Sequence, residues 1–140
     1  MTATGQRRSR PWTANQIRRL HATKELEIAS RRRGGSLRPY LPIWVVTVDD
    51  QVYVRTWYRR STGWYGHALK TGQARIRVQS IEADVAIADL GNGGHALRAV
   101  IDHAYQAKYG PDGGGALAQM ITDDAAATTL RLLTLALATP

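Results

Sequence analysis

Hydrophobic and polar positions along the chain repeat with two different periods, and the change of period divides it into elements. In "WTANQIRRLHAT" the spacing is helical, and the stretch carries its own start signal: Thr13 at the N-cap with Gln16 three residues on forms a capping box, and Trp12 and Ile17 occupy the two positions of a hydrophobic staple. The period then drops to two. "ELEIAS" places Leu26 and Ile28 on one face and Glu25 and Glu27 on the other, as a half-buried strand does. Residues 31–39 read as a loop. "IWVVTV" and "QVYVRTW" are β-branched and aromatic runs meeting at Asp49-Asp50, which predicts a tight antiparallel hairpin without the usual turn glycine. Side chains alternate across a strand, so Val52, Val54 and Thr56 share a core face, while Tyr53, Arg55 and Trp57 share the other.

After a polar loop containing Gly63 and the stretch "WYGHALKTG", strand alternation returns in "ARIRV" and "ADVAIADL". Five closely spaced strands exceed what one short helix can cover, which predicts closure into a small antiparallel barrel. "GHALRAVIDHAYQAKYG" switches back to helical spacing, with Leu97, Val100, Ile101, Ala104 and Tyr105 on one stripe and Gly110 as its stop; "GPDGGG" reads as a flexible loop. The last apolar run, "ATTLRLLTLAL", suits a strand better than a helix because of its threonines. The predicted fold class is α+β: an antiparallel barrel with an N-terminal helix and one longer helix after the barrel strands.

Length and composition narrow this further. At 140 residues with 44% hydrophobic content, the chain suits one domain over residues 12–140, preceded by a flexible basic tail over residues 1–11. Cysteine is absent, so disulfides and thiolate metal sites are excluded. No apolar run approaches the length of a membrane span and the N-terminus lacks a signal-peptide centre, which gives a cytoplasmic protein without membrane contact as the expectation. A formal charge of +8 favours anionic partners. Much of that charge stands in runs, Arg7, Arg8 and Arg10 and then Arg31 to Arg33, which read as solvated surface.

The motifs of hydrolases, kinases and zinc proteases are missing, and His21, His67, His95 and His103 are not spaced for a shared metal ion. What remains is a crowding of arginine and aromatic residues: Arg55, Trp57, Tyr58, Arg59, Trp64, Tyr65 and His67. A planar anionic ligand needs an aromatic slot for its ring and fork-shaped donors for its acidic group, and this segment supplies both. Lys108, at the predicted end of the longer helix, reads either as a ligand contact or as a cation facing the negative helix end. Tyr105 reads as core.

The landmarks "WTANQIRRL", "ELEIAS", "PIWVVTVDDQVYVRTW", "GWYGHAL", "ARIRV", "AVIDHAYQAKYG" and "TTLRL", taken in this order from Trp12 to Leu132, resemble the DUF2255 family of small bacterial proteins. That family is similar in turn to the flavin-binding split barrels, which include pyridoxamine-phosphate-oxidase-like proteins and deazaflavin-dependent nitroreductases. The resemblance implies a homodimeric split barrel that binds FMN or a deazaflavin and acts as an oxidoreductase on a small organic substrate. It implies Arg55, helped by Arg75 or Arg77, at the anionic tail of the cofactor, Trp57 and Trp64 as walls for its ring, and Tyr65 or His67 as proton donor. With Lys108 these make up the expected site. The sequence departs from the pattern at Gly66-His67, where such relatives carry Asn or Arg after the "WY" pair. A cofactor-free small-molecule-binding protein or biosynthetic enzyme on the same barrel is the alternative reading; a nucleic-acid-binding module is the third.

Overall fold

The structure is a computed structural model describing residues 9–57 and 63–135; the expectations placed on Arg7, Arg8, Tyr58 and Arg59 lie outside the described residues. Eight strands and four helices follow one another as β1 (Ser9–Arg10), α1 (Ala14–Ala22), β2 (Glu25–Ser30), β3 (Leu41–Trp44), β4 (Val46–Val48), β5 (Gln51–Val54), α2 (Trp64–Thr71), β6 (Gln73–Val78), β7 (Ile81–Gly91), α3 (His95–Met120), α4 (Asp123–Ala126) and β8 (Thr129–Leu135). All pairings are antiparallel, and the hydrogen-bonded order is β3-β2-β6-β7-β8-β5-β4, with β1 added on β8. The first and last strands of that order are separated in sequence by Val45 alone. They are two halves of one bent strand, so the sheet curls round until its ends meet.

The run "IWVVTV" is therefore split between two strands. Its first half pairs with β2, Ile43 opposite Leu26, and its second half pairs with β5, Val46 opposite Tyr53. Alternation persists through the bend: Val45 packs inside the barrel, whereas Trp44 and Val46 face outward under α3. Two apolar layers result. Leu26, Ile28, Val45, Val52, Val54, Ile76, Val85, Leu130 and Leu132 fill the barrel, closed at one end by Trp12 and Leu20 from the N-terminal region. Val46, Tyr53, Ile101, Tyr105, Tyr109 and Met120 form the second layer, between the outer face and α3.

Local signals account for most element ends. The Thr13–Gln16 capping box forms in both directions, at 3.1 and 2.9 Å, and Trp12 sends its indole N–H to the carbonyl of Leu132. The β4–β5 turn places Asp49 and Asp50 at φ 50° and 63°, the doubly left-handed geometry of a tight hairpin turn, with aspartate in place of the favoured glycine. The "WYGHALKTG" stretch is helical: Tyr65 and Ala68, three apart, are buried, and Gly72 ends α2 in the left-handed region at φ 71°. The strand expected in "ATTLRLLTLAL" is β8 over Thr129–Leu135, a central stave between β7 and β5.

The expectations for α3 are corrected. Helix α3 does not stop at Gly110, and "GPDGGG" is not a loop, because the helix continues through Pro111 and breaks only at Gly114, φ 51°. Pro111 keeps φ in the helical range at the cost of one missing N–H bond. Continuation places Leu117 and Met120 on the second apolar layer, which Gly110 as a stop would forfeit. On the α3 stripe, Ile101 and Tyr105 are buried, but Val100 is exposed. At the N-terminus, Ser9 and Arg10 pair with Leu135 and Thr134, so strand pairing reaches into the stretch read as a tail.

Candidate functional site

The outward face of β5 and its continuation, Tyr53, Arg55 and Trp57, is not open to solvent along its length. Helix α3 covers Tyr53 and Arg55, and only Trp57 emerges, 49% exposed. The guanidinium of Arg55 is buried against α3 in a network: Nη1 meets Asp102 Oδ1 at 2.5 Å and donates to the Met120 carbonyl at 3.1 Å, and Nε donates to Thr129 Oγ1 at 3.0 Å. Its plane lies 5.4 Å from the ring centre of Tyr105. Asp102 is also 3.4 Å from Arg98 Nε, so one carboxylate serves two cations. Nη2 of Arg55 is buried and finds no hydrogen-bond partner among the described residues. A guanidinium carries five N–H donors, and a buried donor without an acceptor costs about 1–3 kcal/mol.

Arg55 lines a cavity of about 220 Å³ whose other walls include Glu25, Trp44, Thr56, Trp57, Trp64 and Met120. A larger cavity of about 540 Å³ adjoins it, bounded by Leu41, Pro42, Ile43, Thr56, Trp57, Gly63 and Trp64. The two share Pro42, Ile43, Thr56, Trp57 and Trp64 and form one continuous slot. Three of its walls are tryptophans. Trp44 is fixed by stacking on Tyr109, ring centres 3.9 Å apart and planes 3° from parallel, and Trp64 by an edge-on contact with Tyr65. Arg55, Trp57 and Trp64, singled out in the sequence, thus come together.

The remaining expected site residues lie elsewhere. Tyr65 belongs to the barrel's interior cluster. His67, one turn along α2 from Trp64, lines a separate cavity with Arg31, Arg33, Arg38, Lys70 and Thr71. Arg75 is held on the outer face of β6 by Glu82 at 2.6 Å and Asp84 at 2.9 Å, hydrogen bonds that push its pKa above the usual arginine value. Arg77 pairs with Glu27 at 2.8 Å, which likewise raises its pKa, and stacks 3.9 Å over the Tyr40 ring. Both arginines therefore already have carboxylate partners. Lys108 stands more than a turn before the break of α3 at Gly114, and not beside a stop at Gly110. Its Nζ donates to the carbonyls of Leu20 at 3.0 Å and Val45 at 2.7 Å, and partial burial pulls its pKa down to about 8. Among the described residues no cluster of His, Asp and Glu is arranged to hold a metal ion, and no helix is long and apolar enough to cross a membrane.

Trp44, Glu25 and Met120 are slot residues that the sequence reading missed. Trp44 stands in an apparent core strand, and alternation with the inward Val45 turns it outward. Met120 reaches the slot only because α3 runs past Gly110.

Residues 16–132 match a family described as uncharacterized proteins conserved in bacteria, DUF2255. The chain belongs to that family. Among solved structures, it is similar to a FAD-binding protein from Mesorhizobium loti, with a TM-score of 0.55 and 13% identity over 93% of this chain and 92% of the other. It also matches a conserved hypothetical protein from Mycobacterium tuberculosis, at TM-score 0.49 and 8% identity over 96% and 86% of the two chains. The first likeness establishes a shared fold. A search of curated proteins finds no significant match.

Proposed function

We propose that this DUF2255 protein binds a planar, flavin-type cofactor in the tryptophan-walled slot and serves as an oxidoreductase for a small organic substrate. The observation that carries the reading is the buried guanidinium of Arg55, one of whose donors lacks a partner among the described residues, in the lining of an aromatic slot. A buried guanidinium already neutralised by Asp102 needs a further acceptor, not a further charge. The acceptor edge of a heteroaromatic ring supplies one. Trp57 and Trp64 offer faces for a ring, and Trp44, locked on Tyr109, offers a preset third wall. The FAD-binding protein of the same fold adds support to a flavin over other planar ligands.

The residues present fit such a group. When bound, a flavin supplies the hydride chemistry, and the protein contributes binding, orientation and exclusion of water. Here Trp57 and Trp64 would hold the ring, Arg55 would donate to it, and the apolar rim of Leu41, Pro42 and Ile43 would keep water from its face. Of the two expected proton donors, Tyr65 lies inside the barrel and His67 lines the separate cavity, so neither is among the walls of the slot. FMN and a deazaflavin both meet these requirements. Arg75 and Arg77 play a supporting part at most, given their carboxylate partners.

The test is a fluorescence titration of FMN, FAD and a deazaflavin into the purified protein and into Trp57→Ala. Trp57 is half exposed, so its loss should spare folding. Binding by the wild type, weakened about tenfold or more in the variant, is the expected result, in line with aromatic stacking of about 1–3 kcal/mol. Absence of binding by all three ligands would remove the cofactor reading.

A further inference from the structure

The cavity beside His67 measures about 410 Å³ and is a basin of positive charge, lined by Arg31, Arg33, Arg38, Lys70 and Thr71 in addition to the histidine. No acidic side chain among the described residues lines it. Asp84 pairs with Arg31 at 2.8 Å but is shared with Arg75 at 2.9 Å, so it leaves the group with an excess of cations. Arg38 contributes a second unsatisfied donor, its Nε being buried without a hydrogen-bond partner among the described residues. Four cations lining one concavity, with no acidic side chain among its described walls, form an anion site, and the guanidinium fork suits phosphate oxygens in particular.

Position ties this basin to the slot. Trp64, His67 and Thr71 are spaced three and four apart on α2 and share one face of it, the first lining the slot and the other two the basin. The distance along that face is about 10 Å at the helical rise per residue. On the opposite wall Arg38 lines the basin and Leu41, three residues on, lines the slot. We infer that the basin holds the phosphate-bearing tail of the ligand whose ring occupies the slot, and that this tail carries at least two anionic groups, as a diphosphate does. The inference rests on the reading of the slot for its ring, but the basin can be tested without it.

Riboflavin, FMN and FAD are titrated into the wild type and into the double variant Arg33→Ala/Lys70→Ala, whose side chains are both exposed. Inorganic pyrophosphate is added to each in parallel while the melting temperature is followed. Expected are an affinity for FAD at least about tenfold above that for riboflavin in the wild type, collapse of that preference in the variant with riboflavin binding retained, and stabilisation by pyrophosphate in the wild type alone. If no flavin binds but pyrophosphate still stabilises only the wild type, the slot reading fails and the basin stands as an oligophosphate site. If pyrophosphate leaves the wild type unchanged, or the variant binds FAD as tightly as the wild type, the inference is overturned.

Discussion

Lys108 donates from Nζ to the carbonyl of Val45 across 2.7 Å, at the one residue where the barrel strand leaves β2 and joins β5. A strand that changes partners leaves a residue with no ladder, and its backbone groups must be satisfied some other way. Here the next residue of α3 completes the arrangement: Tyr109 accepts the Val45 N–H at 3.0 Å, and its oxygen lies 2.6 Å from the Lys24 carbonyl. Two consecutive side chains thus serve both backbone groups of the split point, and Lys108 also takes the Leu20 carbonyl in the last turn of α1. The closure of the barrel, the end of α1 and the position of α3 are fixed together.

Lys108→Met should therefore lower stability by about 1–3 kcal/mol, because the Leu20 and Val45 carbonyls both lose the ammonium and Val45 keeps only the Tyr109 hydroxyl. The pH dependence has a definite sign. The folded pKa lies near 8, below the unfolded value of 10.5, so between these values the unfolded chain binds more protons and this lysine's contribution to stability rises with pH. Below about 8 both states are protonated, and the cost of burying the charge is present in full. The amine keeps N–H donors when neutral, so the difference in melting temperature between wild type and Lys108→Met should widen as pH rises from 8 toward 10.5. A gap that is constant or narrows would contradict this account.

Arg55 and Asp102 form a pair in which the arginine is wholly buried and the aspartate 23% exposed. Breaking such a pair from one side strands the buried partner. Asp102→Ala should cost about 3 kcal/mol or more in urea denaturation, while the double variant Arg55→Met/Asp102→Ala, which removes both charges, should recover part of that loss. Additive losses in the double variant would mean that the two charges are not coupled.

How far this could be read from sequence depends on whether a residue's role is local. The Thr13–Gln16 box, the β2 alternation and the Asp49-Asp50 turn are settled by neighbours within a few positions, and each formed as the pattern predicts. The barrel itself was legible from the spacing of short strands. The split at Val45 was not, since its cause lies in side chains more than 60 residues away on α3. Arg55 shows both sides of the limit. Its face was given by alternation, but its burial depends on α3 running past Gly110, and a glycine followed by proline gives a local signal for the opposite outcome. Arg31 and Arg33 read as solvated charges because nothing local shows that they line a cavity with α2.

The hairpin turn carries an unused margin of stability. Asp50 sits at φ 63°, where a Cβ is disfavoured and aspartate is only tolerated. Asp50→Gly should stabilise the protein by about 0.5–1 kcal/mol, measured by denaturant midpoint, since glycine suits the second left-handed position of this turn best. The gain is net of glycine's greater entropy when unfolded. Lower stability would show that the aspartate side chain contributes something to the turn beyond its geometry.

The last expectation concerns assembly. The closed barrel leaves little sheet edge to protect, so the pressure to associate comes from elsewhere. Leu41 and Trp57, 44% and 49% exposed, both line the larger half of the slot and form an apolar rim on its outer side. A second copy covering that rim would shield the slot from water, which hydride chemistry favours. A homodimer of twice 15.4 kDa is expected by light scattering at micromolar concentration, with Leu41→Glu shifting it toward monomer and weakening flavin binding in parallel. A wild-type monomer would leave the slot complete within one chain, and loss of the dimer in Leu41→Glu without any change in flavin affinity would separate assembly from the site.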